Sequence, residues 1–247
     1  MSFYYLLLTN FRVLYRNWRG IFWNLFLPVA EYLALALLHV GNLIGGSIGA
    51  HYSQYLLPGM IAVSALQTGL FNTTYWIIDL KDRDILKRIS VTPVSNAKFF
   101  ISVVISRITV MMIQALLLVC IGILFFGATV TGNIFWILTL IAMGGGSFIA
   151  IGILIASVSG SYDEAAPITT GINMIFIFLG NAFFPTYILP KTLQNIGAIL
   201  PITFFADGLR NNFGMQQTYG SLFDLIVLSA WAILLGIFCS YTFKKQS

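Results

Sequence analysis

Charge is what this chain has least of. Only 13 basic and 8 acidic residues are spread over 247 positions, a charged share of 9% where a soluble globular domain carries about a quarter. So little charge cannot coat a soluble globule of this size, and with 58% hydrophobic residues the chain reads as an integral membrane protein. Histidine and cysteine are equally sparse, with two of each. His39 and His51 have no Cys, Asp or Glu beside them, which argues against a metal site. Cys120 and Cys239 both fall inside apolar runs, where they serve as small hydrophobes and say nothing about compartment. No G-x-x-x-x-G-K followed by Ser or Thr occurs, so the chain cannot cradle a nucleotide through a phosphate-binding loop. The same scarcity leaves no nucleophile with a base, and no metal cluster, on which to build an intramembrane enzyme.

What is present is apolar length. Six runs are long enough to cross, or nearly cross, a hydrocarbon core of about 30 Å: 21–40, 55–78, 99–126, 134–158, 168–184 and 223–243. The expected fold class is therefore an all-α membrane protein of six transmembrane helices in a single unit. Ahead of the first run, Arg12, Arg16 and Arg19 share one helical stripe while Leu7, Phe11, Leu14 and Trp18 share another. That pattern predicts an interfacial amphipathic helix over 1–19, in contact with membrane lipid. The basic residues follow the short apolar stretch and no small-residue cleavage site appears, so this is not read as a secretory signal.

Polar residues inside the runs are expensive and therefore informative. In the first run Asn24, Pro28 and Glu31 fall on one face. Pro28 lacks an N–H and frees the carbonyl near Asn24. Glu31 cannot simply face lipid, and two readings stay open: a residue lining the interior or a substrate path, or a structural interhelical hydrogen bond. Arg107 sits eight residues into the third run, about 12 Å deep, where it either snorkels to the surface or meets a carboxylate such as Glu31. The second run interleaves Gln67, Thr68, Asn72, Thr73 and Thr74, which suits packing against helices or water. Gly144, Gly145, Gly146 and Gly152 in the fourth run predict close helix crossing and room for a bend. Asp163 and Glu164 sit near the start of the fifth helix, consistent with its dipole. The segment 185–221 is too apolar for a solvated loop. Pro190 and Pro201 each open a short helical pattern there, expected to dip into the outer leaflet.

Between the second and third runs lies an island of charge, Asp79 to Lys98, holding eight of the chain's 21 charged residues. Ile85, Leu86 and Ile89 make an apolar stripe and Asp84 stands four residues before Arg88, so Asp82 to Ser90 is expected to form a short amphipathic helix. Pro93 pushes Thr92 out of the helical region and ends it, and Ser95 is a candidate N-cap for the third span. Such a helix suits docking into a groove of a partner; a solvated loop is the alternative. The basic residues are scattered rather than clustered, which points to membrane orientation before nucleic acid. With the N-terminus inside, ten of them lie on the cytosolic side and only Lys191 and Arg210 outside, a positive-inside bias that puts both termini and the island in the cytosol.

The order of these parts resembles the type-2 ATP-binding cassette (ABC) transporter permeases over essentially the whole chain. The residues that carry the resemblance are YLLPGM at the start of the second run, LKRISVTPVS in the island, and FFPTYILPKTLQNIGAILPITFFADGLR before the last run. What the resemblance implies is a subunit that pairs with a second permease copy and with two cytosolic ATPase subunits, on which ATP and Mg would sit, this chain binding no cofactor or metal of its own. It implies that Asp82 to Ser90 is a coupling helix read by the ATPase, with Asp82, Asp84, Ile85, Leu86, Lys87, Arg88, Ile89, Thr92 and Pro93 as its site. It also implies that the short helices carrying Phe184, Pro185, Pro201, Asp207 and Arg210 cap the outer end of the pathway at the dimer interface. Family members often carry glycine near the position of Asp84, so a different local geometry is expected there. The TPVS loop looks more like the drug- and lipid-exporting branch than the polysaccharide branch.

The function expected is thus export of a hydrophobic or amphipathic substrate, a drug, lipid or peptide-like molecule, from a bacterial plasma membrane. The alternative is an ATP-independent carrier or channel built on Glu31 and Arg107. A secondary carrier usually shows matching broken helices in two halves, and only the fourth run is glycine-broken.

Overall fold

The computed structural model describes residues 3–38, 51–85, 88, 96–215 and 219–244, and every regular element among them is helical. The helices are α1 (Phe3–Arg16), α2 (Trp18–Leu37), α3 (Tyr52–Gln67), α4 (Thr73–Asp82), α5 (Asn96–Phe126), α6 (Ile134–Val158), α7 (Tyr162–Leu179), α8 (Lys191–Gly197), α9 (Pro201–Asn212) and α10 (Ser221–Lys244). A π-helical turn, Thr68–Asn72, joins α3 to α4, and a single 3₁₀ turn, Thr186–Ile188, precedes α8.

Among the described residues, four helices are long and apolar enough to cross a membrane on their own: α2, α5 from Lys98, α6, and α10 as far as Cys239. The other two expected spans are built differently. The second runs from Tyr52 to Asp82 without leaving helical geometry, but its polar middle closes a π-turn instead of continuing α-helix. Pro58 consequently lies inside α3, not at its entrance. The fifth helix begins at Tyr162 and ends at Leu179, earlier at both ends than the apolar run suggests. Its start is fixed by Ser161, whose hydroxyl accepts from the Glu164 N–H, while the Glu164 carboxylate accepts from the Gly160 N–H at 2.6 Å. Asp163 and Glu164 occupy its first turn, where the dipole favours them.

α3 is the axis of the bundle. Every residue from Tyr55 to Leu66 is buried, and α2, α5, α6 and α9 pack against the helix. A helix apolar all round needs such a coat. α6 crosses the π-turn closely: a Cβ on Gly152 would overlap the Gly69 carbonyl oxygen, and one on Gly144 would lie 2.8 Å from the Phe205 ring. The expected role of these glycines in close crossing is met at both positions. Thr74 Oγ1 donates to the Gly152 carbonyl at 3.0 Å, and Lys81 Nζ to that of Ala156, fastening α4 along α6.

At the N-terminus, Asn17 separates α1 from α2 and caps α2 by accepting from the Gly20 N–H. α1 lies along α5, where Asn10 Nδ2 donates to Ser102 Oγ at 2.8 Å. Arg12, Arg16 and Arg19 are exposed, as is Trp18. The carbonyl that Pro28 frees is taken up from outside the helix, by Gln114 Nε2 at 2.9 Å to Asn24 O. Beyond α7, Pro201 opens α9 at its first helical position, and Pro190 is the N-cap just before α8. Ile196 and Ile199 are exposed on α8 and the turn after it.

Candidate functional site

Three places carry the residues singled out by the sequence. The first is a cavity of about 440 Å³ between α1, α2, α4, α5 and the start of α7, within the roughly 300–1,000 Å³ of small-molecule sites. Its lining is polar for a site in so apolar a chain: Asn10, Asn17, Asn24, Asn72, Ser106 and Arg107. Asn24 accepts from Asn72 Nδ2 at 3.0 Å. Arg107 is 7% exposed, places its guanidinium 5.7 Å from the Trp76 ring, and makes one long hydrogen bond, 3.5 Å, to the Asn72 carbonyl. Glu31 is not among the lining residues, and among the described residues it forms no ion pair with Arg107. Asn24 and Arg107 are therefore brought together, and Glu31 stands apart. Asn72 was visible as an intramembrane amide; that Tyr75 and Tyr162 close the same cavity was not, because their meeting is tertiary.

The second place is a buried network at the far end of α3. Arg210 is 0% exposed. Its Nη1 donates to Asp207 Oδ1 at 3.0 Å, Nη2 to the Ala182 carbonyl at 3.1 Å and Nε to the Tyr55 carbonyl at 3.4 Å, while its guanidinium lies 3.8 Å from the Tyr55 ring centre. Tyr55 Oη donates to Asn181 Oδ1, and Asn181 Nδ2 donates to Asp207 Oδ1 at 2.7 Å. Burial holds the Asp207 carboxyl above the usual carboxylate range, against the smaller opposing pull of Arg210 and Asn181. The ring of groups locks α9 and the α7–α8 connection onto α3. Of the expected outer-gate residues, Pro185 and Pro201 are buried, Asp207 is half-buried, and Phe184 is exposed. Asn181, in left-handed backbone at φ 50, is a member that sequence reasoning missed.

Gly59 explains the glycine of YLLPGM. A Cβ there would overlap the Ala182 carbonyl oxygen and lie 3.2 Å from Arg210 Nη2. Gly59→Val is therefore expected to lower stability by about 1–3 kcal/mol, as overpacking does, read as an earlier thermal unfolding midpoint in mild detergent. An unchanged midpoint would contradict this packing.

The third place is the charged island. α4 ends at Asp82, Arg83 pairs with Asp79 at 2.9 Å, and Asp84 turns the chain with φ 52 before helical geometry resumes at Ile85. Asp82 thus belongs to α4, and the break falls between it and the expected short helix. Asp84 adopts the left-handed conformation that glycine favours and that Asp tolerates better than most residues. The Arg88 N–H donates to the Asp84 carbonyl at 3.1 Å, one helical turn on. Ile85 is half-buried beside Leu80, Phe99 and Val103. Leu86, Lys87, Ile89, Ser90, Thr92, Pro93 and Ser95 lie outside the described residues.

Comparison with known proteins bears on all three places. Residues 42–241 match the model of the ABC-2 family transporter proteins. The chain is 24% identical over 220 residues to the inner membrane transport permease YadH of Escherichia coli K12, covering 84% of this chain and 86% of that one. It is 27% identical over 197 residues to nodulation protein J of Rhizobium leguminosarum bv. viciae, covering 77% and 73%. It is 23% identical over 183 residues to YbhR of E. coli K12, named a probable multidrug ABC transporter permease, covering 72% of this chain and 50% of that one. The matched span takes in the buried Arg210 network, the π-turn and the charged island, and with four helices among the described residues long and apolar enough to cross a membrane this chain belongs to the ABC-2 family of transporter proteins as a multi-pass membrane protein.

Proposed function

We propose that this chain is the membrane-spanning subunit of an ABC exporter in a bacterial plasma membrane, moving a hydrophobic or amphipathic substrate with energy from ATP hydrolysed by a partner chain. The observation that carries the reading is the ABC-2 match over 42–241. Two permease copies and two ATPase copies make the working assembly, and the chain crosses the membrane six times with both ends in the cytosol, the arrangement favoured by its positive-inside bias. The fifth crossing combines α7 with the segment after it, and the second is α3 with α4.

The fold supplies a physical route for coupling. From Tyr52 to Asp82 the chain is a nearly unbroken helical rod, about 46 Å long at about 1.5 Å per residue. One end holds the Arg210 network through Tyr55, and the other delivers the chain to the charged island. A push on the island therefore acts on the outer helices through one lever, with the π-turn at Thr68–Asn72 as the place where that lever can yield. The test is transport in inside-out vesicles holding the chain and its ATPase. Uptake of an amphipathic dye that starts on adding ATP and stops with a non-hydrolysable analogue is expected; uptake at equal rate without nucleotide would overturn the reading.

A further inference from the structure

Arg107 is a buried cation with too few acceptors. A guanidinium presents five N–H donors, and among the described residues it has one long bond to a carbonyl and the face of Trp76. Such a group is costly unless something else meets it. Among the described residues the one carboxylate lining the cavity, Asp79, pairs with Arg83 at 2.9 Å. The amides of the lining are divided: Asn10 and Asn72 spend an N–H on Ser102 Oγ and Asn24 Oδ1, leaving their oxygens. Asn24 and Asn17 each spend the side-chain oxygen on a protein donor, which leaves their N–H groups for a ligand. The cavity thus offers one unneutralised cation with amide donors from Asn17 and Asn24, beside the amide oxygens of Asn10 and Asn72, and it is the cation that an anion answers.

An apolar groove starts where the cavity ends. Trp18, Ile21, Phe22, Leu25, Phe26 and Leu117 line it along α2, and Ile21 is shared between the two. Phe26 and Phe22 stack at 5.3 Å on its wall and both are exposed. A polar pocket adjoining an apolar groove at Ile21 fits a molecule with an anionic head and an alkyl tail.

We infer that the cavity around Arg107 binds the anionic head, phosphate or carboxylate, of an amphiphile whose tail lies in the α2 groove. The inference rests on the export reading only in treating that molecule as cargo. Binding is measured without ATP or a partner, so its failure leaves the transport reading standing, and a missing ATPase leaves the site standing.

The experiment uses the full chain in an uncharged detergent, with dodecyl phosphate, dodecanol and inorganic phosphate as probes and native mass spectrometry and calorimetry as readouts. Saturable binding of dodecyl phosphate is expected, with inorganic phosphate at least about a hundredfold weaker and dodecanol without a saturable site. Arg107→Gln is expected to weaken dodecyl phosphate by about tenfold or more, and Arg107→Lys to retain part of that. Should Arg107 variants fail to fold, Val13→Trp serves instead: Val13 lines the cavity and is 50% exposed, so a larger ring narrows the entrance with little cost to packing. Equal binding of dodecanol, or inorganic phosphate as tight as dodecyl phosphate, would overturn the inference. So would binding indifferent to Arg107→Gln and Val13→Trp.

Discussion

Arg210→Gln is expected to lower the stability of the folded chain by about 3–5 kcal/mol, the range seen when one partner of a buried pair is removed. The substitution strands the Asp207 carboxylate, and it leaves the Ala182 carbonyl without its 3.1 Å donor and the Tyr55 carbonyl without its 3.4 Å one. It also removes the cation lying 3.8 Å from the Tyr55 ring. Because these contacts join α3, α9 and the connection after α7, their loss loosens that end of the bundle as a unit. Arg210→Lys is expected to recover little, since one ammonium cannot serve three acceptors in the fixed fork that a guanidinium provides. Asp207→Asn in the Arg210→Gln background should restore part of the loss by removing the stranded charge. The yield of monodisperse protein in mild detergent, together with its thermal midpoint, reads all three. A midpoint for Arg210→Gln within a degree or two of the parent would contradict the network's role.

Charging the island should abolish export while sparing insertion. Ile85→Glu with Ile89→Glu places two carboxylates on the apolar stripe that the proposed ATPase groove would receive, and transport is expected to fall to background with ATP hydrolysis still running. Ile85 also packs against the cluster of Leu80, Phe99 and Val103, so a charge there also loosens α4 against α5. Arg88→Glu separates the two causes. Arg88 is exposed and lies one turn beyond Asp84, so reversing its charge leaves the bundle's core untouched while altering the surface offered to a partner. Uncoupling by both variants at normal membrane abundance is the expected result; normal export by both would place the coupling surface elsewhere.

The sequence was most legible where one physical rule acts alone. α6 occupies 134–158 as expected because a long apolar run is bounded by Asn133, which caps it, and by the extended Ser159. Pro201 begins its helix because a missing N–H costs nothing in a first turn, while Pro190 stands one residue before α8 as its N-cap. The carbonyl freed by Pro28 was foreseeable from one residue, but not that Gln114 would claim it. Legibility fell where partners come from different helices. Periodicity marked Gln67 to Thr74 as polar without revealing that backbone and neighbours would settle into a π-turn against Gly152. Asp207 and Arg210 were picked out by resemblance, while Asn181 and Tyr55, which complete their hydrogen bonds, lie far off in sequence. Glu31 and Arg107 were natural candidates for each other by charge; the packing of α2 gives Arg107 to Asn72 and Trp76 instead. The start of α7 had a signal, Ser161 three residues before Glu164, overshadowed by the apolar run that follows.

A separate ATPase docked on the charged island is the proposed partner of this membrane subunit. Tagging the chain, extracting it from native membranes in mild detergent, and identifying by mass spectrometry what co-purifies in stoichiometric amount tests that pairing. The expected result is a protein carrying a phosphate-binding loop, retained by the parent chain and lost when Ile85 and Ile89 are both replaced by Glu. A chain that purifies only with copies of itself, and still transports, would contradict the claim.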